Sequence, residues 1–556
     1  MSKFLNFKRE NISLILVVFF GLLLRIYGIN WDEGYHFHPD ERMLMIVAER
    51  IRFFTQLDPD FFNYGSLPLY ILKGISQLTD TIFKAHVATY DGMLYVGRSL
   101  SVIADLLVVV MIYRIGRLLF DNRHAAVFSS FLYALAFFPI QNSHFFVVDV
   151  FLNLFITILV YLLLSYLQNP KKSFVIVASI VFAAAITTKV TSIIFLPVIV
   201  LTLSLPYLKN FQLNKIIIHI FLFSLFSILF SFLFMPYAFL RYERFIQDIK
   251  LQIAMNQDPY IFPYTLQYVA TLPYLYYLKN IAIWGAGPII FTLVLLGFYE
   301  QLTTISFRKF TKQYLFSLDT KQLAVFVFYI WYLWYFLVIG RSAVKFMRYM
   351  LIIYPFLSLI AGYGLYMAIK NLKSTPKIVL IAVIFSLISL WTLAFVNIYA
   401  SRPTRILASE WINNNVPVGS TIAVEHWDDR VPVNDSTRYN YVEMTLYDRP
   451  DNETKWTILN EKLKRANYIV IASNRLYVPL QRLDDCNKYR YCFPRTSKYY
   501  SDLFSGNLGF QKVAEFTSYP YLKIGSSRVE IIDDSADESF TVYDHPKVMV
   551  FKKKAK

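Results

Sequence analysis

Apolar residues occur along the first four hundred positions in long unbroken blocks, not at alternating positions. A membrane-crossing helix needs about 20 mostly apolar residues, and eleven blocks approach that length, near 11–29, 93–113, 125–139, 147–167, 173–188, 191–207, 216–235, 281–299, 322–340, 349–368 and 378–398. The first is long and lacks a small-residue cleavage site after it, which favours a spanning helix over a cleaved leader. Beyond residue 400 the pattern changes. Ile406, Leu407, Trp411 and Ile412 fall at helical spacing, Pro417 and Gly419 end that segment, and Thr421–Val424 reads as a strand. Asn452 suits the cap of a helix carrying Trp456, Ile458, Leu459 and Leu463. Tyr468–Ala472, Phe510–Phe516 and Val548–Phe551 read as further strands. Alternating helix and strand predicts a small α/β module. The expected architecture is an all-α polytopic membrane bundle of about eleven transmembrane helices, residues 1–400, with a C-terminal soluble α/β domain, residues 401–556.

Composition sharpens this picture. Apolar residues make up 56% of the 556 positions, charged residues 17%, and mean hydropathy is +0.43. Ordinary soluble domains are about 25% charged, so a cytosolic enzyme, a disordered chain and a disulfide-stapled secreted domain are excluded. The net charge of +17 does not point to nucleic acid, because of where it sits. From Ser401 onward there are 23 basic and 20 acidic residues, and the excess lies in the apolar part. Arg114, Arg117 and Arg123, then Lys171 and Lys172, then Lys209 and Lys215, then Arg308, Lys309 and Lys312, then Lys370, Lys373 and Lys377 occupy connections on one side if every block crosses. The positive-inside rule makes that side cytoplasmic, together with the N-terminus. An odd number of crossings then places the tail outside a cell membrane. Cys486 and Cys492 lie in this tail, where an oxidising compartment favours a disulfide between them. No internal repeat is visible.

The expected outer segments, about 30–92 and 236–280, are long and aromatic, with amphipathic helical spacing around Met43, Leu44, Val47 and Ile51. The first carries Asp32, Glu33, His36, His38, Asp40 and Glu41 directly after an apolar block. Ionisable groups beside lipid are costly to desolvate, which makes such a cluster a candidate site. Pro39 suits the first turn of a helix whose positive end would keep Asp40 ionised, ready to take a proton from an incoming hydroxyl or amine. Helix capping by solvated carboxylates is the plainer alternative. A second turn, Gln141 to Asp149, adds His144 and an acid, Asp149, at the start of a descending helix. His36, His38 and His144 with an acid could hold a divalent cation, although no fixed ligand spacing supports a metal site. Lys189, and then Arg341, Lys345, Arg348 and Tyr349, are basic or aromatic groups expected on the outer side, against the charge bias, and a lipid phosphate is the simplest anion for them. Snorkelling toward lipid head groups is the competing account. Asp105, inside the second block, is expected to pair with Arg98 two helical turns away.

These parts describe transfer of a group from a membrane lipid phosphate to an acceptor. The stretch His38-Pro39-Asp40-Glu41 with Ile46-Val47-Ala48-Glu49-Arg50-Ile51, then Tyr64-Gly65-Ser66-Leu67-Pro68-Leu69-Tyr70, resembles the first outer loop of C-type (GT-C) glycosyltransferases. The similarity is greatest to the branch of protein O-mannosyltransferases and aminoarabinose-to-lipid A transferases. Gly97-Arg98-Ser99-Leu100, Tyr113 to Arg117, His144 to Asp149, Thr188-Lys189 and Lys345 to Tyr349 follow in that family's order. The resemblance implies a polyprenyl-phosphate sugar donor, no required cofactor, and an inverting single displacement onto a lipid, glycan or protein acceptor. It implies Asp40 as base with Glu41 beside it, Asp149 as the second acid, and Lys189 and Arg348 near the lipid phosphate. His38, His144 and Tyr64 are then expected to contact sugar or acceptor. Asp32 and Glu33 form a second Asp-Glu pair, so the base is open between Asp40 and Asp32. Asn434-Asp435-Ser436 and Asn452-Glu453-Thr454 match the glycosylation sequon. A transporter or flippase of lipid-linked saccharides is the alternative from a different class. It calls for polar groups at the bilayer midplane and repeated halves, whereas the charges here sit at block ends.

Overall fold

A computed structural model describes residues 2–208, 210–304, 318–433 and 437–555. Lys209, the cluster Arg308, Lys309 and Lys312, and the sequon Asn434-Asp435-Ser436 lie outside the described residues. The chain forms two compact units. The first comprises Met1–Ile29, Pro39–Gln252 and Leu272–Leu393; the second comprises Asn30–His38, Ile253–Thr271 and Ala394–Lys556.

Among its described residues the first unit is built mainly of helices. Its opening helices are α1 (Ser2–Ile26), α2 (Pro39–Arg50), α3 (Leu67–Phe83), α4 (Tyr90–Phe120), α5 (Arg123–Leu135), α6 (Phe137–Ser143), α7 (Val148–Gln168), α8 (Lys172–Ile186), α9 (Leu196–Leu208) and α10 (Leu213–Phe234). Further helices span Pro288–Thr304, Thr320–Gly340, Tyr354–Ile369 and Ser374–Val396. The apolar blocks lie largely in helix, although the block 281–299 is broken at Ala286 and Gly287. Among the described residues six helices are long and apolar enough to cross a membrane, or seven if the pair α5 and α6, bent by 57°, is one span. The apolar length of α4 is interrupted by Arg98 and Asp105, which are both fully buried.

Helix packing relies on small residues where backbones meet. A Cβ built on Gly362 would come within 2.4 Å of the Ser129 backbone nitrogen, so glycine lets the helix Tyr354–Ile369 lie directly on α5. Buried charges tie α1, α4, α5 and α7 together. Arg25 Nε donates to Asp105 Oδ2 at 2.6 Å, Tyr133 Oη donates to Asp105 Oδ1 at 2.5 Å, and Asn153 Nδ2 donates to Tyr133 Oη at 2.9 Å. The expected pairing of Asp105 with Arg98 is therefore corrected. Seven residues along a helix separate the two by about 10 Å of axial rise, and each finds a nearer partner on another helix.

The second unit contains a five-stranded sheet of order β2-β1-β3-β7-β4, with β1 (Thr421–Glu425), β2 (Asn440–Met444), β3 (Tyr468–Ile471), β4 (Phe510–Phe516) and β7 (Val548–Lys553). β1 runs parallel to β2 and β3, whereas β7 is antiparallel to β3 and β4. A separate hairpin pairs β5 (Tyr521–Ile524) with β6 (Ser527–Glu530). Alternate residues enter two cores. Ala423, Ile469, Ile471, Met549 and Phe551 pack with Trp456, Leu459 and Tyr500, while Ile422, Val424, Val470 and Val550 pack with Ala408 and Ile412. Burial on both faces explains why β3 reads as an unbroken apolar run. Cys486 and Cys492 are joined by a disulfide.

Candidate active site

The site is built at one end of the first unit's helices. Pro39 opens α2, and Asp40 and Glu41 occupy its first turn. The turn before α3 is pulled onto the end of α8: Gly65 N donates to Thr188 O at 3.0 Å and Leu67 N to Thr187 O at 3.1 Å. A Cβ at Gly65 would stand 1.9 Å from Thr187 O, so the approach requires glycine. That contact sets the neighbouring Tyr64, whose hydroxyl donates to Asp40 Oδ1 at 3.1 Å. Burial, and then the charge of Asp40, push the Tyr64 phenol well above its ordinary value. It stays protonated and serves as a donor.

Cations alternate with the carboxylates. Arg348 Nη1 pairs with Asp40 Oδ2, and Arg348 Nε lies 3.9 Å from Asp149 Oδ2. Asp149, in the first turn of α7, accepts from Lys189 Nζ at 2.7 Å. Aromatic faces steady both cations: Lys189 Nζ lies 4.5 Å from the centre of the Tyr349 ring, and the Arg348 guanidinium 4.7 Å from that of Phe346. Tyr335 Oη donates to the Tyr349 carbonyl and holds this segment from the helix Thr320–Gly340. The result is an unbroken run from Tyr64 through Asp40, Arg348 and Asp149 to Lys189. Asp149 is nearly buried and Asp40 is partly open, 24% exposed, so one carboxylate of this run faces accessible space.

The remaining expected residues are placed differently. Glu41 is fully buried and accepts from Arg98 Nε at 3.0 Å, Arg98 Nη2 at 2.7 Å and the Phe146 backbone N–H at 2.8 Å. Arg98 also donates to the Ile29 carbonyl at 2.8 Å. This fork fastens the start of α2 to α4 and to the turn before α7. His144 is buried, with Nδ1 2.9 Å from Ile140 O and Nε2 2.8 Å from Tyr27 O, so both ring nitrogens face backbone carbonyls. Lys345 is buried and donates to Ala343 O at 3.0 Å, and burial lowers its pKa. Arg341 is exposed at the end of the helix Thr320–Gly340. Asp32, Glu33 and His38 belong to the second unit. There Asp32 Oδ1 accepts from Gly34 N at 3.2 Å, Glu33 is paired with Arg402 at 2.7 Å, and the His38 ring lies 4.0 Å from that of Tyr543. The Arg402 hydrogen bonds hold the Glu33 carboxyl below its ordinary pKa. Among the described residues no group of three or more His, Cys, Asp or Glu side chains is placed to hold a metal ion. Tyr335, Phe346 and the Arg98 clasp were not anticipated. The basic-aromatic spacing Phe346-Met347-Arg348-Tyr349 is the sequence signal that could have flagged Phe346.

Residues 91–235 match the dolichyl-phosphate-mannose-protein mannosyltransferase family. The fold is similar to that of the Archaeoglobus fulgidus oligosaccharyltransferase in its apo form, at TM-score 0.52 and 12% identity, covering 98% of this chain and 88% of that one. Two further solved structures are similar at lower scores. The Archaeoglobus fulgidus oligosaccharyltransferase AglB in complex with an inhibitory peptide and a dolichol-phosphate has TM-score 0.47, 13% identity and coverage of 95% and 74%. ArnT from Cupriavidus metallidurans bound to undecaprenyl phosphate has TM-score 0.44, 14% identity and coverage of 73% and 72%. A search of curated proteins gives no match. The chain is thus a multi-span membrane protein that resembles the C-type glycosyltransferases.

Proposed function

We propose that this chain is an integral membrane glycosyltransferase that moves a hexosyl or pentosyl group from a polyprenyl-phosphate donor to an acceptor at the outer face of the cell membrane. The observation that carries the reading is the alternation Asp40, Arg348, Asp149, Lys189 at one end of an apolar helical bundle. The match of residues 91–235 to a dolichyl-phosphate-mannose-dependent family supports a lipid-phosphate donor. In this reading about eleven spans cross the bilayer from a cytoplasmic N-terminus, and residues 1–400 form the catalytic domain. The tail, 401–556, lies outside and helps select a lipid, glycan or protein acceptor.

The chemistry follows from charge. Asp40 takes the proton of the acceptor hydroxyl or amine as its heteroatom bonds to the anomeric carbon. The bond from that carbon to the phosphate oxygen breaks, and the phosphate departs with the electron pair. A single displacement inverts the anomeric centre. Arg348 and Lys189 offset the charge growing on the departing phosphate, which is where preorganised cations lower a barrier most. A phosphate at Arg348 also competes with Asp40 for the same guanidinium, so donor binding frees the base. Asp149 orients both cations. Glu41 acts as a positioning residue through Arg98, and Arg341 and Lys345 supply longer-range positive potential. Asp32 is the competing base.

The test is transfer in vitro from synthetic polyprenyl-phosphate sugars by the full-length protein and by Asp40→Asn and Asp32→Asn. General-base loss costs about 10²- to 10⁴-fold, and that loss is expected for Asp40→Asn alone. Full activity of Asp40→Asn, or movement of intact lipid-linked saccharide between leaflets with the sugar–phosphate bond uncleaved, overturns the proposal.

A further inference from the structure

The hairpin of β5 and β6 lies outside both cores of the second unit, and its register sorts its side chains by chemistry. Successive side chains on a strand point to opposite faces. Leu522 pairs with Val529 and Ile524 with Ser527, whereas Tyr521 pairs with Glu530 and Lys523 with Arg528. One face therefore carries Leu522, Ile524 and Val529, and the other carries Tyr521, Lys523, Arg528 and Glu530. β6 has a single apolar residue, so pairing assembles the apolar face and neither strand's own pattern shows it. Arg528 is occupied within the hairpin: its guanidinium lies 3.8 Å from the centre of the Tyr521 ring, and its Nε lies 2.9 Å from Glu530 Oε1. The apolar face is open, with Ile524 64% and Val529 51% exposed.

The attachment of the hairpin decides what meets this face. Asn397 Nδ2 donates to the Tyr521 carbonyl at 2.9 Å, and the 3-10 turn Asn397–Ala400 packs on β5. That turn continues directly from the helix Ser374–Val396. The helix is apolar over 23 residues, about 34 Å at 1.5 Å per residue, against roughly 30 Å of bilayer hydrocarbon. Asn397 therefore marks a boundary between hydrocarbon and head groups. Ile524 is three residues beyond Tyr521, about 10 Å along the strand, and the head-group layer is about 5–7 Å deep. A two-stranded hairpin is marginal by itself in water, and at this height its apolar face has lipid within reach. We infer that the hairpin lays Leu522, Ile524 and Val529 against the bilayer and gives the second unit an attachment to the membrane besides its covalent link. Tyr521 on the opposite face is a residue type favoured at that boundary. The inference rests on the helix Ser374–Val396 crossing the membrane and on no step of the proposed transfer.

Both native cysteines are held in the Cys486–Cys492 disulfide, so an introduced cysteine is the labelling site. Full-length Ile524→Cys, Lys523→Cys and Leu387→Cys are each labelled with bimane and placed in phosphatidylcholine nanodiscs, with and without phosphatidylcholine carrying a nitroxide high on its acyl chain. Leu387, midway along the helix Ser374–Val396 and 48% exposed, reports the span itself. Strong quenching is expected at Leu387, and quenching at Ile524 is expected to exceed that at Lys523, on the opposite face, about twofold or more. An unchanged thermal transition shows that each labelled protein folds. Quenching at Leu387 with none at Ile524, or equal quenching at Ile524 and Lys523, overturns the inference and leaves the span intact. No quenching at Leu387 removes the span and the inference together. Disulfide-linked dimers of unlabelled Ile524→Cys, with the label there unquenched, assign the face to a second copy of the chain and overturn the inference.

Discussion

Arg348 stands between the two carboxylates of the site, pairing with Asp40 through Nη1 and lying 3.9 Å from Asp149 through Nε. A planar guanidinium can address two acids on different edges, whereas an ammonium is a point charge. Arg348→Ala is expected to lower kcat/KM for transfer by about 10²-fold or more, as loss of a preorganised charge does. Arg348→Lys should fall between, with most of its defect in KM for the lipid donor. Initial rates at varied donor concentration check this, and equal rates for wild type and Arg348→Ala would remove Arg348 from the mechanism.

How far such a site can be read from sequence depends on the range of the interaction. The apolar blocks, the start of α2 at Pro39 and the strands β1, β3, β4 and β7 were legible because their signals are local. β2 was missed because Asn440–Met444 is an edge strand whose face is mostly open, so it lacks alternation. The hairpin of β5 and β6 is exposed on most positions, and its turn signal at Gly525, with φ of +61°, stood without a flanking apolar pattern. The clustering of Asp40, Asp149, Lys189 and Arg348 was an expectation from order along the chain, and the geometry brings all four together. The Glu41–Arg98 pair was illegible: 57 residues separate the partners, and Arg98 had an apparent acid nearby on its own helix.

That clasp makes a second prediction. Arg98 and Glu41 are both fully buried, and removing one member of such a pair leaves an uncompensated charge, at a cost of about 3–5 kcal/mol. Arg98→Ala is expected to lower the thermal transition and folded yield in detergent more than Glu41→Gln, which still accepts from Phe146 N. If Glu41→Gln is stable yet as inactive as Asp40→Asn, Glu41 belongs to the proton transfer and not to positioning.

Gly65 gives a test that leaves every charge in place. A methyl there must displace the Thr187 carbonyl or the loop itself, because 1.9 Å is far inside contact distance. The displacement acts on Tyr64 and so on its hydrogen bond to Asp40. Gly65→Ala is expected to cut kcat at least tenfold while Tyr64→Phe has a smaller effect, since the latter removes a hydroxyl without moving backbone. Wild-type kcat in a folded Gly65→Ala protein would show that the loop position does not govern the base.

The second unit carries a pH dependence of its own. Glu425, at the end of β1, is buried, and this burial, opposed by the Tyr500 hydrogen bond at 2.5 Å and aided by the nearby Asp428 charge, raises its carboxyl to about 8. Below the unfolded value near 4.5 both states hold the proton, and the unit is at full stability with respect to this group. As pH rises from about 4.5 to about 8 the unfolded chain releases the proton first, so stability falls across that window, by at most about 5 kcal/mol. Above it the folded form ionises too and the loss levels off. The thermal transition of the wild type is therefore expected to drop between pH 5 and pH 8, and Glu425→Gln, which cannot ionise, should flatten that slope. The two proteins compared at pH 5 and pH 8 by calorimetry decide the matter. Parallel slopes would mean that Glu425 titrates in the folded protein as it does in the unfolded chain.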